Sequence, residues 1–338
     1  AGPPRSERSK AQSEHVKDMI VPVYYAPILK AKVGEFRALK ELAPAVRARI
    51  APMLDFDLPD EGKAGTDAEQ ILGSVKKLTK ANPPSTLFVD AFQWPADAQV
   101  VTGDHVISFI VSALRAARLD PIPVMGYDRW EDSAYKLAIS NVGAGPGGRF
   151  GIRLDRSVME DIYAPEHVVH VLEDMLTVVG GEPSRCFVFI DLEDVSGGAS
   201  SVASIIEDCS RVLDAISHMG FAGYVIAGSS VPEQIGLAVP QRDSTSTIAR
   251  KEQIAWRSLR VAYPDLPLVA GDYGVRGPTS YSGPNPNMNG KIRYTTDRVF
   301  FIARGHAVSD DHSFVQMHDL AQAIVASPHY RGPAYSWG

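Results

Sequence analysis

The chain has 338 residues, a formal net charge of -6 and a hydrophobic fraction of 45%. That is ample apolar residue for a core, and a single eight-fold α/β barrel, at roughly 250 residues plus insertions, accounts for most of the length. No Lys/Arg block marks a nucleic-acid surface, no apolar run reaches the ~20 residues of a membrane span, and two cysteines build neither a disulfide framework nor a Cys-based zinc site.

Residues 1–20 are rich in Pro, Ser and charge and read as a disordered leader or a cloning remnant, with one barrel domain expected over 21–338. The polar start, unlike a signal peptide, predicts a cytoplasmic protein, and Cys186 and Cys209 read as buried free thiols. From Val21 the chain repeats one unit: a short apolar strand that ends in charged or polar residues, then an amphipathic helix. The strand ends are YYAPILKAK, APMLDFD, TLFVDAFQW, PIPVMGYD, RFGIRLDR, CFVFIDLED, GYVIAGSS and PLVAGDYG. Eight such units predict a (β/α)8 TIM-type barrel, whose chemistry sits at the C-terminal ends of the strands.

The first helix is expected over 33–50, with Phe36, Leu39 and Leu42 on one side, and the second begins at a capping box, Thr66 with Glu69. Asp104 is expected to cap the third helix. The Gly-rich turn GAGPGG leads into the fifth strand instead of out of one, which puts it on the bottom face and away from a phosphate-loop role. The seventh unit carries the helix IARKEQIAWRSLRVAY. After the eighth strand, RGPTSYSGPNPNMNG is too rich in Gly, Pro and Asn for a helix, so a long loop and then a hairpin around Thr296 and Asp297 are inserted before the closing helix. The end at SWG carries no capping signal, and the native chain is expected to continue beyond Gly338.

Acids stand at most strand ends: Asp55 and Asp57, Asp90, Asp128, Asp155, Asp191 with Glu193, and Asp272. Carboxylates this close raise one another's pKa, so the ring needs cations. One resolution is Mg2+ on Asp55, Asp90 and Asp191; the other is neutralisation by Lys30, Lys32 and Arg153 in an ion-pair network, with some acids serving as helix caps. On the enzyme reading, a metal-assisted hydrolase or lyase, Lys30 or Glu193 is the acid or base and Arg153 clamps an anionic substrate. Trp94, Tyr127 and Tyr273 are candidate walls of a ligand site, joined by Trp130 and Tyr281 nearby. Ser229 and Ser230, with Lys291 and Arg293 from the inserted segment, are candidates for holding a phosphorylated or other small polar ligand. The rival reading is a non-catalytic interaction protein that contacts a protein partner through 276–290 and the hairpin after it.

The segment VPVYYAPILKAKVGEFRALKEL, with RIAPMLDF and the later PLVAGDYGV, resembles the "beta protein" family of bacteriophages and bacteria over most of the chain from Val21. The resemblance implies a phage or mobile-element setting and a native chain that runs past Gly338. It brings no assigned activity and no catalytic residues.

Overall fold

Alternation of apolar strand and amphipathic helix sets the path of the chain in a computed structural model that describes residues 23–59, 64–274, 277–278, 288–310 and 315–335. The leader over 1–20, Tyr281 and most of 276–290 lie outside the described residues.

Strand β1 (Ile28–Lys30) leads to α1 (Val33–Lys40) and the short α2 (Pro44–Arg47). The single helix expected over 33–50 is thus two, because Pro44 has no N–H to donate and disfavours helical backbone at Ala43 before it. Strand β2 (Met53–Asp55) is followed by α3 (Asp67–Ala81), which starts at the expected capping box: Thr66 Oγ accepts from Glu69 N–H, and Glu69 accepts from Thr66 N–H. Strand β3 (Leu87–Asp90) precedes α4 (Val106–Ala116). Its cap is His105, whose Nδ1 accepts from Ile107 N–H at 3.3 Å; Asp104 instead accepts from the Thr102 hydroxyl at 2.8 Å.

Strand β4 (Pro121–Gly126) leads to α5 (Ser133–Val142), and β5 (Phe150–Leu154) to α6 (Val158–Asp161) and α7 (Pro165–Val179). Then come β6 (Cys186–Asp194), α8 (Val202–Ile216), β7 (Gly223–Ser229), α9 (Ile235–Ala238), β8 (Ser244–Ala249), α10 (Lys251–Ala262) and β9 (Leu268–Ala270). The inserted hairpin is β10 (Asn289–Thr295) and β11 (Val299–Ala307), and α11 (Gln316–Ala326) closes the described chain.

Eight strands form one curled, all-parallel sheet in the order β1-β2-β3-β4-β5-β6-β7-β9. Its two edges meet just before β1: Tyr25 bridges both Ile50 and Ala270, Ala26 N–H donates to Ala270 O at 2.8 Å and Ile28 N–H donates to Asp272 O at 2.8 Å. No continuous strand ladder runs between β1 and β9, so the expectation of a closed barrel is met only as a curled sheet wrapped by helices. A second sheet, β10-β11-β8, is antiparallel, and its third strand comes from the seventh unit, where sequence reading expected helix from Ile248.

The sheet buries two cores. On its inner face Ile28, Met53, Phe88, Val124, Phe189 and Val225 pack together, and on its outer face the strands pack against the helices. Side chains alternate along a strand, so the residue two positions beyond each inner apolar one also faces inward. By that rule Ile28 leads to Lys30, Met53 to Asp55, Phe88 to Asp90, Gly151 to Arg153 and Phe189 to Asp191. The charged layer is therefore the next inner tier above the apolar one. Gly151 makes room beneath Arg153: a Cβ there would lie 2.9 Å from Val124 Cγ2 and 3.0 Å from the Phe88 ring.

Both cysteines are free and buried, and among the described residues no helix is long and apolar enough to cross a membrane.

Candidate functional site

The inner charged tier is organised by Arg153. Its Nε donates to Asp191 Oδ2 at 2.8 Å, Nη1 to Asp55 Oδ1 at 3.3 Å and Asp90 Oδ2 at 3.0 Å, and Nη2 to the Tyr273 hydroxyl at 3.0 Å. Tyr273 in turn donates to Asp191 Oδ2 at 2.6 Å, and Phe92 lies face-on over the guanidinium at 3.7 Å. Arg153 and the three aspartates are each 0% exposed. Asp90 also takes Arg129 Nη2 at 2.9 Å, and Asp55 takes Lys30 Nζ at 3.1 Å. Three cations thus face three carboxylates. A buried arrangement of this kind holds only when every charge has partners, because the desolvation penalty per ion is several kcal/mol.

Protonation in this floor follows from the pairing. Burial by itself would push Asp55 up, but Lys30 and Arg153 overcome it and hold its carboxyl at about 2. Burial works against the charge on Lys30 as well, and Asp55 and Asp57 more than restore it, so the ammonium is held above its ordinary range. Arg129 reaches Asp90 from a turn just past β4, and Gly126 permits it: a Cβ at 126 would stand 2.2 Å from Arg129 Nη2.

The rim above this floor is different. Asp128 and Asp155 follow β4 and β5, and Glu193 is the last residue but one of β6. Burial, together with Asp90 and Asp155, outweighs the pull of Arg129 and holds the Asp128 carboxyl up at about 6. Burial and the nearby Asp191 raise Glu193 as well. Glu193 has a left-handed backbone, φ +52°, where the β6–β7 pairing slips between Asp191 and Asp194, and its N–H donates to Asp191 Oδ1 at 3.0 Å. A non-glycine residue costs on the order of 1 kcal/mol or more in that region, and such strain concentrates at functional sites. Asp155 is tied down by the Ser157 hydroxyl at 2.7 Å.

Across residues 25–338 the chain matches the family model described as Beta protein. The chain belongs to the Beta protein family. No curated protein matches it. Among solved structures, this family member is similar to dihydropteroate synthase from Clostridium difficile, crystallised in the presence of pteroic acid, at 11% identity and a TM-score of 0.42, covering 76% of this chain and 93% of that one. It is similar also to domain 2 of a Pyrococcus furiosus chitinase, at 12% identity, a TM-score of 0.39 and coverage of 75% and 83%. The carboxyl transferase domain of Rhizobium etli pyruvate carboxylase gives 13%, 0.34, and coverage of 58% and 29%. None of these likenesses bears on what the chain binds or does.

The expected site residues meet different fates. Asp55, Asp90 and Asp191 do come together, but about a guanidinium. Their oxygens are spent on Arg153, Arg129 and Lys30, so the donor set does not fit Mg2+, and among the described residues no group of three His, Cys, Asp or Glu is placed to hold a metal ion. Arg153, the expected substrate clamp, spends its donors inside the protein, and Lys30, the expected acid or base, is paired with Asp55 and Asp57, which hold its ammonium above the ordinary range. Ser229 donates to Val231 O, and Ser230 donates to Glu252 and accepts from Lys251 N–H. Tyr273 belongs to the floor. Tyr127 donates to Asp161 at 2.8 Å, and the Trp94 indole N–H donates to Phe56 O at 2.8 Å. Lys291 and Arg293 stand two apart on β10 of the second sheet.

Sequence reading missed Arg129 and Arg250. Arg250 joins Asp272 at 2.9 Å and Glu252 at 3.4 Å, while Tyr25 donates to Asp272, which ties the second sheet to the eighth unit. Arg129 directly follows the acid at the end of β4, and Arg250 lies just past β8 of the second sheet; the local signal was only a cation near an acid, Asp128-Arg129 and Arg250-Lys251-Glu252.

Proposed function

We propose that the curled sheet works as a (β/α)8-type barrel, closed through the Tyr25 segment, and that its mouth binds a small polar ligand and acts on it as a metal-independent hydrolase or lyase. Asp128 and Glu193 are the proton-transferring pair. The observation that carries this reading is the crowding of acids on the rim: burial, with Asp90 and Asp155 beside it, holds the Asp128 carboxyl up at about 6, and burial with Asp191 and Asp155 raises Glu193 as well. Carboxyls raised in this way are ready to give up a proton nearer neutral pH than an ordinary acid. The floor of Arg153 and its aspartates then holds the mouth in shape and sets its field, with Asp128 as general acid and the strained Glu193 as its partner. The phage or mobile-element setting that the family resemblance implies, and a cytoplasmic location that suits two free thiols, complete the proposal.

The test is turnover of a panel of chromogenic glycosides and esters by the parent chain, Asp128→Asn and Glu193→Gln, with and without EDTA. The reading expects a hit whose rate falls at least ~100-fold in Asp128→Asn and is untouched by EDTA. Loss of turnover with EDTA, or full turnover in both variants, overturns it.

A second reading, a non-catalytic interaction protein, is favoured by β8. This edge strand of the second sheet is rich in Ser and Thr and exposes Thr245 and Thr247, and such an edge can accept a partner's strand. Under that reading, deleting 276–290 abolishes capture of a phage or host protein; unchanged capture contradicts it.

A further inference from the structure

The two sheets finish their edges differently. Those of the curled sheet meet at Tyr25, which bridges Ile50 and Ala270. The second sheet ends at β10 on one side and β8 on the other. An edge strand offers a row of N–H and C=O groups to any passing strand, and proteins blunt such edges with charged side chains, proline or a bulge. Strand β10 has these devices: Lys291 and Arg293 stand along it, and its pairing with β11 is bulged between Asn289 and Lys291. Strand β8 has none of them. Its six residues, STSTIA, carry no charge and no proline, they pair with β11 in unbroken register from Ser244 to Ala249, and among the described residues no strand pairs with their other side.

The side chains of β8 say what this edge accepts. Thr245 and Thr247 are exposed on one face, while Ile248, on the other, packs against the cluster of Val231, Ile235 and Phe300. Residues directly opposite each other in an antiparallel pair lie on the same face, so a second β8 related by a twofold axis must pair odd positions with odd and even with even. With the axis at Ser246, Thr245 of each copy stands opposite Thr247 of the other, and such threonine pairs are favourable. The flanking charges stay out of the pairing, since Arg250 is bound to Asp272 at 2.9 Å and Asp243 to His306 at 2.9 Å. The strand is therefore its own complement. We infer that the β8 edge is a homodimer interface, at which two copies of this chain join β8 to β8, antiparallel about Ser246, and their two three-stranded sheets become one. One strand pair is a small interface, so the dimer is weak, with a dissociation constant on the order of 10–100 µM. This pairing is independent of the proposed proton-transfer pair and of partner capture through 276–290, so either can fail without it.

The experiment is sedimentation velocity on the whole chain from about 5 µM to about 1 mM, which brackets that range. Two double variants at the exposed positions are compared with the parent, with thermal melts to verify folding. Thr245→Lys with Thr247→Lys sets like charges opposite each other, and Thr245→Lys with Thr247→Glu sets opposite charges there. The parent is expected to pass from monomer to dimer, the first variant to dimerise at least about tenfold more weakly, and the second to return to within about threefold of the parent. A parent that stays monomeric up to about 1 mM leaves the edge to a strand of some other chain and overturns the inference. Dimerisation unchanged by the paired lysines overturns β8 as the surface, and no recovery with the lysine-glutamate pair overturns the axis at Ser246.

Discussion

The floor and the rim of the mouth are built from the same residue type and behave in opposite ways. In the floor, Asp55, Asp90 and Asp191 are sealed from water, yet each has a cation within about hydrogen-bond distance, and the pairing draws Asp55 down to about 2. On the rim, Asp128 has Arg129 on one side but Asp90 and Asp155 on the others, and its carboxyl rises to about 6. Burial alone pushes both upward; what separates them is the sign of the neighbouring charge. An acidic strand end therefore says nothing about role until its partners are known. The floor is architecture, and the rim is where a proton can move.

Several substitutions break or sharpen that contrast. The largest effect is expected from Arg153→Met, which leaves three buried carboxylates short of their shared cation. Removing one partner of a buried pair costs about 3–5 kcal/mol, and urea unfolding at pH 7 should show at least that loss; a loss under ~1 kcal/mol means the floor is not held by Arg153.

Asp55→Asn is expected to cost about 2 kcal/mol at pH 7. The folded pKa lies below the ordinary carboxylate value, so the stabilisation is present above about pH 4 and disappears as the pH falls from there towards 2. Parent and variant stabilities should converge over that window in acid-titrated thermal melts. Parallel curves remove the Lys30 and Arg153 pairing as the cause.

Asp128 has the opposite sign. Its folded pKa is raised, so its contribution is favourable below about pH 4 and is lost as the pH rises through 6. Asp128→Asn should therefore stabilise the protein at pH 8, by about 1–2 kcal/mol once its 24% side-chain exposure is allowed for, and make little difference at pH 4. A gain in stability on removing a rim carboxylate, set against a loss on removing a floor one, is the contrast in its simplest measurable form.

The smallest expected change is Glu193→Gly. Relief of the left-handed strain at φ +52° offsets the added freedom of glycine in the unfolded chain, so stability should move by less than ~1 kcal/mol while proposed turnover falls. A loss well above that would make Glu193 a structural residue.

The strand-helix rhythm was legible because each parallel strand is buried on both faces and so reads as a continuous apolar run, CFVFID for β6 or YVIAG for β7. Strand β8 was not. STSTIA carries little apolar signal, and its partner β11 lies about fifty residues later, so only the folded sheet identifies it. In the site, the positions of the acids were legible from the period of two, which carries Met53 to Asp55 and Phe88 to Asp90. Their neutralisation by Lys30, Lys32 and Arg153 was one of two resolutions open in the sequence, and the choice between them was not legible. Whether three carboxylates meet around a metal or around an arginine depends on which side chain fills the centre, and Arg153 fills it only because Gly151 below leaves space and Gly126 lets Arg129 in beside it. Those are tertiary relations that no spacing in the chain encodes.

The most direct test of the contrast is the titration of the Asp and Glu carboxyl carbons by 13C NMR, with Asp128→Asn and Asp55→Asn as assignments. The account predicts one carboxyl with a midpoint near 6 that vanishes in Asp128→Asn and another near 2 that vanishes in Asp55→Asn. Both midpoints falling together near 4, the ordinary carboxylate value, would contradict it.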